Sequence, residues 1–490
     1  MAWMAMDGVG SEASNDFLIV SDEGGGVWDL FKFLVFNDGG SGSKFVGSLQ
    51  QNLDHGGGGE IDHRWIIVVS ILARKIIKIL GKPMEWTGYF LDFIFNLLSL
   101  NGNLLGLISR ILHGNVEMPK RGSERFISAI GHLDGRVDLI KMEKESRSWR
   151  VEMGDRALMD LCMMSSKLAY ENAKVVQNVV QLHWKMHFVD FYNCWNEYQK
   201  ELDTQVFIMC DEAEDANLIV ISFRGTEPFD ADDWITDFDY SWYEFPNLGK
   251  VHMGFLEALG LGNRENTSTF QMHLQSTNAD ATGGGKATTA YYAVRRKLKE
   301  LLQQHKNAKF VVTGHSLGGA LAILFPTVLV VHEEEEVLQR LLGVYTFGQP
   351  RVGNEELGRY VEVRLGARYL RLVYCNDLVP RLPYDNKTFL YKHFGTCLYY
   401  NSLYVHKTVV EEPNRNFFGV VYLIPEYANA VWELVRSLLM EYVYGPDYRE
   451  SWESFLLRLC GLAMPGISAH SPLNYVNSVR LGRQASQLDD

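Results

Sequence analysis

The chain has no long apolar run free of charge. Its most hydrophobic stretch, residues 64–112, is interrupted by Arg74, Lys75, Lys78 and Lys82. It therefore offers no unbroken span of the roughly 20 residues that a membrane-crossing helix needs. Cysteine is scarce among the 490 residues: Cys162, Cys194, Cys210, Cys375, Cys397 and Cys460 lie far apart, without CxxC or zinc-type spacing. That pattern argues against a cysteine metal centre and predicts reduced, mostly buried thiols in a cytosol-facing protein. Positive charge is in deficit, with 47 Lys and Arg against 60 Asp and Glu and a net charge of −13. A nucleic-acid partner is not expected on so acidic a surface. The first residues, MAWMAMDGVGSEASND, lack a basic stretch followed by an apolar run, so no secretory leader is expected. Apolar residues are plentiful, at 47% of the chain with 12% aromatic, which is ample for a large core.

Glycine tracts (SDEGGG, NDGGSGS, DHGGGG) predict a flexible region over residues 1–63, with the apolar VWDLFKFLVF between them. From residue 64 the composition changes sharply. Arg74, Lys78 and Lys82 recur every four positions, so a helix would set them on one face. Gly81 and Pro83 are expected to break that helix, and a second apolar run follows from Trp86 to Leu100. Three readings compete for residues 64–112: a buried helical pair, two transmembrane helices, or helices lying in a lipid surface with lysines reaching the headgroups. The basic stripe and the broken runs favour the last. Residues 64–150 then form a surface-associated segment and linker.

Residues 155–200 carry apolar positions at near-helical spacing and predict helices. TQVFIMC and NLIVISF, separated by DEAEDA, predict a hairpin, and FVVTG, LGVYTFG and YLRLVY predict further strands between helical segments. That alternation predicts an α/β domain over residues 151–490 with a mostly parallel sheet covered on both faces. Residues 260–289 are polar and aperiodic and predict a surface insertion.

The stretch KFVVTGHSLGGALA, residues 309–322, passes from strand to helix at Ser316. Gly314-His315-Ser316-Leu317-Gly318 matches the G-x-S-x-G nucleophile elbow. Such a turn strains the serine backbone and crowds the positions two before and two after it, so Gly314 and Gly318 must lack side chains. It sets the serine hydroxyl at a helix N-terminus, where developing negative charge is favoured. A serine needs a base, an orienting acid and oxyanion donors. In the chain order Ser, acid, His, the best acid is Asp377, directly after the strand YLRLVY; Asp385 and Asp447 are less well placed. Of the later histidines, His470 in a loop near the C-terminus leads, ahead of His393 and His406. Oxyanion donors are expected from the N–H of Leu317 and from Thr226, in the turn after the strand at 217–223.

FRGT followed by DDW, then VHMGF, GHSLGGA, TFGQPRVGN and NDLVPRLP, in this order, resemble the class 3 (fungal-type) triacylglycerol lipase family over roughly residues 200–480. The resemblance implies an α/β-hydrolase fold, a Ser316–Asp377–His470 triad, an oxyanion hole from Thr226 and Leu317, and no cofactor or metal. It also implies a lid at about residues 228–245, where acids alternate with aromatics, Trp234 among them, that would turn from the protein to lipid at an interface. Further upstream, residues 64–112, IGHLDGRVDL, and LMDLCMMSSKLAYEN through HWKMHFVDFYNCWN resemble the plant oil-body lipases, class 3 enzymes attached to lipid droplets. This implies hydrolysis of triacylglycerol, and of di- and monoacylglycerol, on a cytosol-facing droplet surface reached through residues 64–112, with the endoplasmic reticulum membrane as a second site. A phospholipase A1 or galactolipase on the same core is the competing enzyme, and a catalytically idle scaffold the competing class. The sequence leaves homo-oligomerisation open.

Overall fold

The computed structural model describes residues 16–36, 38–48, 60–140, 152–275, 289–384, 391–415, 417 and 419–485. Nine strands form the central sheet: β1 (His187–Asn196), β2 (Glu201–Cys210), β3 (Leu218–Phe223), β4 (Lys309–His315), β5 (Leu341–Phe347), β6 (Tyr369–Tyr374), β7 (Thr396–Tyr400), β8 (Val405–Val409) and β9 (Arg483–Gln484). They lie side by side in chain order. Strands β3 to β7 are mutually parallel, while β1, β2 and β8 pair antiparallel at the flanks. This is a mostly parallel α/β-hydrolase-like sheet.

The sequence explains the layering. Strands β3 and β5 are buried at every position, as strands covered on both faces must be. Successive side chains point to opposite faces. Ile219, Ile221 and Val312 accordingly join one core with helices Leu317–Val331 and Ala290–Gln304. Leu218, Val220 and Val311 join the other, with helices Arg156–Leu168 and Pro472–Leu481.

Several expectations are corrected. HFVDFYNCWN, read as the end of a helical region, is strand β1. Its aromatic and β-branched residues pair antiparallel with β2, and the sheet edge outweighs the helical spacing. Within 1–63, residues 16–36 and 38–48 are not loose. Strand Phe17–Val20, helix Val27–Phe36 and strand Val46–Ser48 close over Leu30, Phe33 and Phe45. The two strands extend a second sheet that contains Trp242–Phe245 and Gly249–His252. Residues 1–15, 37 and 49–59 lie outside the described residues. In the 260–289 segment, Leu261 and Phe270 are fully buried, so its first half belongs to the core; residues 276–288 lie outside the described residues.

The largest correction concerns residues 64–112. Gly81 and Pro83 do not break the helix, which runs unbroken for 41 residues, Glu60–Leu100. Glycine serves close packing instead: a Cβ on Gly81 would lie 3.2 Å from Ala231 Cβ, and one on Gly88 would lie 2.6 Å from Phe229 Cβ. The basic stripe does not point outward as a whole. Arg74 is buried and donates to the Val20 carbonyl (2.8 Å), Asp239 (3.2 Å) and Asp22 (3.3 Å). Lys78 pairs with Asp22 at 2.9 Å, and Lys82 alone of the three makes no ion pair among the described residues. Apolar side chains face outward, with Ile79, Trp86, Phe90 and Leu105 exposed. Among the described residues no helix is long and apolar enough to cross a membrane.

Candidate active site

Ser316 sits at the corner between β4 and helix Leu317–Val331 with φ 59° and ψ −135°. That is a strained conformation for a residue with a Cβ. Both glycines are required. A Cβ on Gly314 would collide with the Gly318 carbonyl, and one on Gly318 would strike Phe223 O and Arg224 at the end of β3. The Ser316 N–H donates to Phe347 O at 2.9 Å, locking the corner to β5. Leu317 is the first residue of the helix, where an N–H has no intrahelical acceptor.

Asp377 follows β6 and is fully buried. Its carboxylate accepts from His470 Nδ1 at 2.8 and 3.0 Å, from Val379 N at 2.9 Å and from the Tyr475 hydroxyl. His470 caps the short helix Pro465–Ala469. Because Nδ1 faces a carboxylate it carries the proton, which leaves Nε2 as the basic nitrogen. Nε2 is buried and makes no hydrogen bond among the described residues, so Ser316 and His470 are not hydrogen-bonded here. Catalytic contacts of this kind commonly tighten only once substrate is bound.

His315 ties the two halves together. Its Nε2 bonds the His470 carbonyl at 3.0 Å and its Nδ1 the Tyr170 hydroxyl at 2.8 Å, and its ring lies 4.5 Å from that of His470. Burial pushes its pKa well below the usual imidazole value, so it is neutral, and its own Nε2–H donates to the carbonyl. Gly348, at φ 61°, lets Asp377 and His470 meet: a Cβ there would lie 2.9 Å from Asp377 Oδ2, His470 Cε1 and the Tyr475 hydroxyl.

Thr226 lies in the loop after β3, next to Gly225, whose Cβ would fall 3.0 Å from Ser316 Cβ. The Thr226 hydroxyl donates to Asp237 Oδ2 at 3.0 Å. Asp237 is fully buried, and burial pushes its pKa up to about 7, against the opposing pull of Thr226 and His470.

The lid expectation is narrowed. Asp233, Asp237 and Asp239 face inward, not toward water, because each has a partner: Gln199, Thr226, and the Arg74–Arg264 pair respectively. Tyr240, Trp242, Tyr243 and Phe245 are buried, and Trp242–Phe245 is a strand, so residues 239–245 are fixed. Helix Ala231–Phe238 remains. Trp234 is half-buried with its Nε1 on Pro228 O at 3.1 Å, and the long helix clamps the far end through Ser70 Oγ to Phe238 O at 2.6 Å. A cavity of about 640 Å³ opens between this helix and the long one, lined in part by Glu85, Tyr170 and Phe229, with none of Ser316, Asp377 and His470 in its wall.

The other candidates are placed elsewhere. His393 is buried with Nε2 2.6 Å from Pro380 O and 3.4 Å from Glu412. His406 lies on the flanking strand β8, beside Tyr400. Asp447 is in an exposed turn, and Asp385 lies outside the described residues. Sequence reasoning missed Tyr170, Asp237, His315, Gly348 and Tyr475 as site residues. Gly348, in TFGQP at a strand end, and His315, inside the elbow itself, carried a local signal; Tyr170, Asp237 and Tyr475 reach the site through packing. Five cysteines are buried and Cys460 is exposed, all unpaired.

The profile of the Lipase (class 3) family matches residues 220–387. The chain is 59% identical to Triacylglycerol lipase OBL1 of Nicotiana tabacum over 96% of its own length and 95% of the relative's. It is 55% identical to Triacylglycerol lipase OBL1 of Arabidopsis thaliana over the same shares. With Triacylglycerol lipase OBL1 of Ricinus communis it shares 45% identity over 98% of this chain and 97% of that one.

Proposed function

Because the chain belongs to the class 3 lipase family, we propose that it is a serine lipase releasing fatty acid from triacylglycerol, and from di- and monoacylglycerol, at a lipid-droplet surface. The observation that carries this reading is the Asp377–His470 pair set beside Ser316 on its strained corner. His470 Nε2 takes the Ser316 proton as Oγ attacks the ester carbonyl, and Asp377 holds the imidazolium that forms. The N–H groups of Leu317 and Thr226 stabilise the oxyanion, with Asp237 holding the Thr226 side chain in place. His470 then protonates the departing glycerol oxygen, and water hydrolyses the acyl-enzyme. The outward apolar side chains of residues 64–112 support attachment to a lipid surface, which this reading assigns to the cytosolic side of the droplet and to the endoplasmic reticulum membrane.

The test compares purified wild type and Ser316→Ala on triacylglycerol emulsion and on phospholipid vesicles. Ser316-dependent release mainly from triacylglycerol is the expected result. Preference for phospholipid would keep the mechanism and replace the substrate. Absence of release from both would leave a lipase-like scaffold.

A further inference from the structure

Helix Leu423–Tyr444 is inside out. In a water-soluble protein a surface helix buries its apolar face and shows its charges. Here the buried residues are Glu426, Glu433 and Arg436 together with the small or flexible Ala430, Ser437 and Met440. Glu433 accepts from the Tyr374 hydroxyl at 2.8 Å and from Arg458 at 2.9 Å, and Arg436 donates to the same hydroxyl at 3.1 Å. Asn414 bonds Glu426. The outer face carries Ile424 (82% exposed), Val431 (52%), Leu438 (60%) and Tyr442 (86%). Glu441 is the one charged residue among those exposed on the helix.

The face does not end with the helix. Val420 and Val421 precede it at 80% and 84% exposure. The Tyr427 hydroxyl bonds Ala463 O, which brings in exposed Met464 and Ile467. The Ile467 carbonyl accepts the backbone N–H of His470 at 3.1 Å. The apolar surface thus extends to the short helix Pro465–Ala469, which His470 caps. On the other side, helix Trp452–Gly461 meets the long N-terminal helix through Trp452 and Phe95, ring centroids 5.3 Å apart.

We infer that the Leu423–Tyr444 helix lies flat in a lipid surface and brings the His470 segment against it. Contiguous apolar patches of this kind mark interaction sites. Two observations favour lipid over a second copy of the chain. The face adjoins the Pro465–Ala469 helix that leads into His470, so a second copy seated there would sit against the proposed catalytic base. The exposed side chains also mix aliphatic residues with Tyr422, Tyr427, Trp432, Tyr442 and Tyr444, amphipathic rings suited to a headgroup boundary. The buried charges hold the helix on the protein, so it lies on the surface and does not cross it. The inference rests on the proposed acylglycerol substrate only for what the docking is for; the docking itself is measured without turnover.

The test uses full-length protein and triolein droplets coated with phosphatidylcholine. The probe variant is Val431→Asp with Leu438→Asp, one heptad apart on the outer face; Tyr442→Glu is a second, independent probe. Trp86→Asp on the long helix measures the separate contribution of that segment. Flotation with droplets is expected to fall about tenfold for both probes, while hydrolysis of a monomeric short-chain p-nitrophenyl ester, the thermal midpoint and the solution mass stay as in wild type. Flotation at the wild-type level by both probes overturns the inference. So does a wild-type dimer that the probes convert to monomers with flotation intact, which would assign the face to a second copy. Loss of flotation in the probes, with a wild type that floats but releases nothing from triolein, would sink the proposed substrate and leave the docking face standing.

Discussion

The Thr226 hydroxyl donates to the Asp237 carboxyl at 3.0 Å, with Asp237 fully buried and Thr226 nearly so. This single bond ties helix Ala231–Phe238 to the loop proposed to hold the oxyanion. A carboxyl in that position is held near its protonated form by the cost of burying charge.

A pH dependence follows. The folded pKa of Asp237 is raised from 3.8 to about 7, so its stabilising contribution is fully present below 3.8 and is lost as pH rises through about 7. Glu171, raised from 4.5 to about 7 by burial, acts in the same direction. Asp237→Asn keeps an acceptor for Thr226 and cannot ionise. Thermal midpoints measured from pH 5 to 8 should fall less steeply for this variant than for wild type. Parallel curves would show that Asp237 is not the titrating group.

Tyr475 is expected to act through Asp377. Tyr475→Phe removes the hydroxyl that donates to Asp377 and retains the ring packed between Phe347 and His315. A loss of about tenfold in kcat, roughly 1.4 kcal/mol, with KM unchanged is the anticipated result on a soluble ester. An unchanged kcat would reduce Tyr475 to packing.

Gly348→Ala tests the proposed acid–base pair by sterics alone. The added methyl would sit 2.9 Å from groups of Asp377, His470 and Tyr475, at a φ of 61° that alanine resists. Activity should fall by about a hundredfold or more if the pair separates. Wild-type turnover would contradict the placement of these three side chains.

Arg74→Met probes the clamp between the long helix and the segment after Phe238. It leaves Asp22 and Asp239 buried beside one another with a cation missing. Arg264 still pairs with Asp239 at 2.8 Å, so the loss should be about 3 kcal/mol, the lower end for breaking a buried pair. Urea unfolding measures it, and a change below about 1 kcal/mol would mean the cluster reorganises or admits water.

The elbow was legible because it is local. A strand entering a helix within one residue allows no side chain two positions away, and GHSLG states that requirement in five letters. The parallel strands were legible for a related reason, since burial on both faces leaves continuous β-branched runs. The destinations of charges were not legible. Arg74 and Lys78 keep the helical spacing they share with Lys82 whether they meet lipid headgroups or acids 52 to 165 residues away, and only the packing of Asp22 and Asp239 against the helix decides. Asp237 looked like a solvated lid acid because its partner, Thr226, lies across a turn and two turns of helix.

The sequence by itself determined the strand-to-helix corner at Ser316 and a sheet buried on both faces, because each depends on neighbours close in the chain or on a strict period; Asp377 and His470 rested on chain order and on the family resemblance. The tertiary structure alone decided that the long helix survives Pro83, that Asp233, Asp237 and Asp239 turn inward, and that helix Leu423–Tyr444 hides most of its charges and shows an apolar side. An amphipathic pattern states that two faces differ. Which face meets the protein is settled by the partners waiting there: Tyr374 and Arg458 give buried Glu433 a hydrogen bond and a counter-charge, and the Tyr374 hydroxyl and Ser402 carbonyl accept from Arg436.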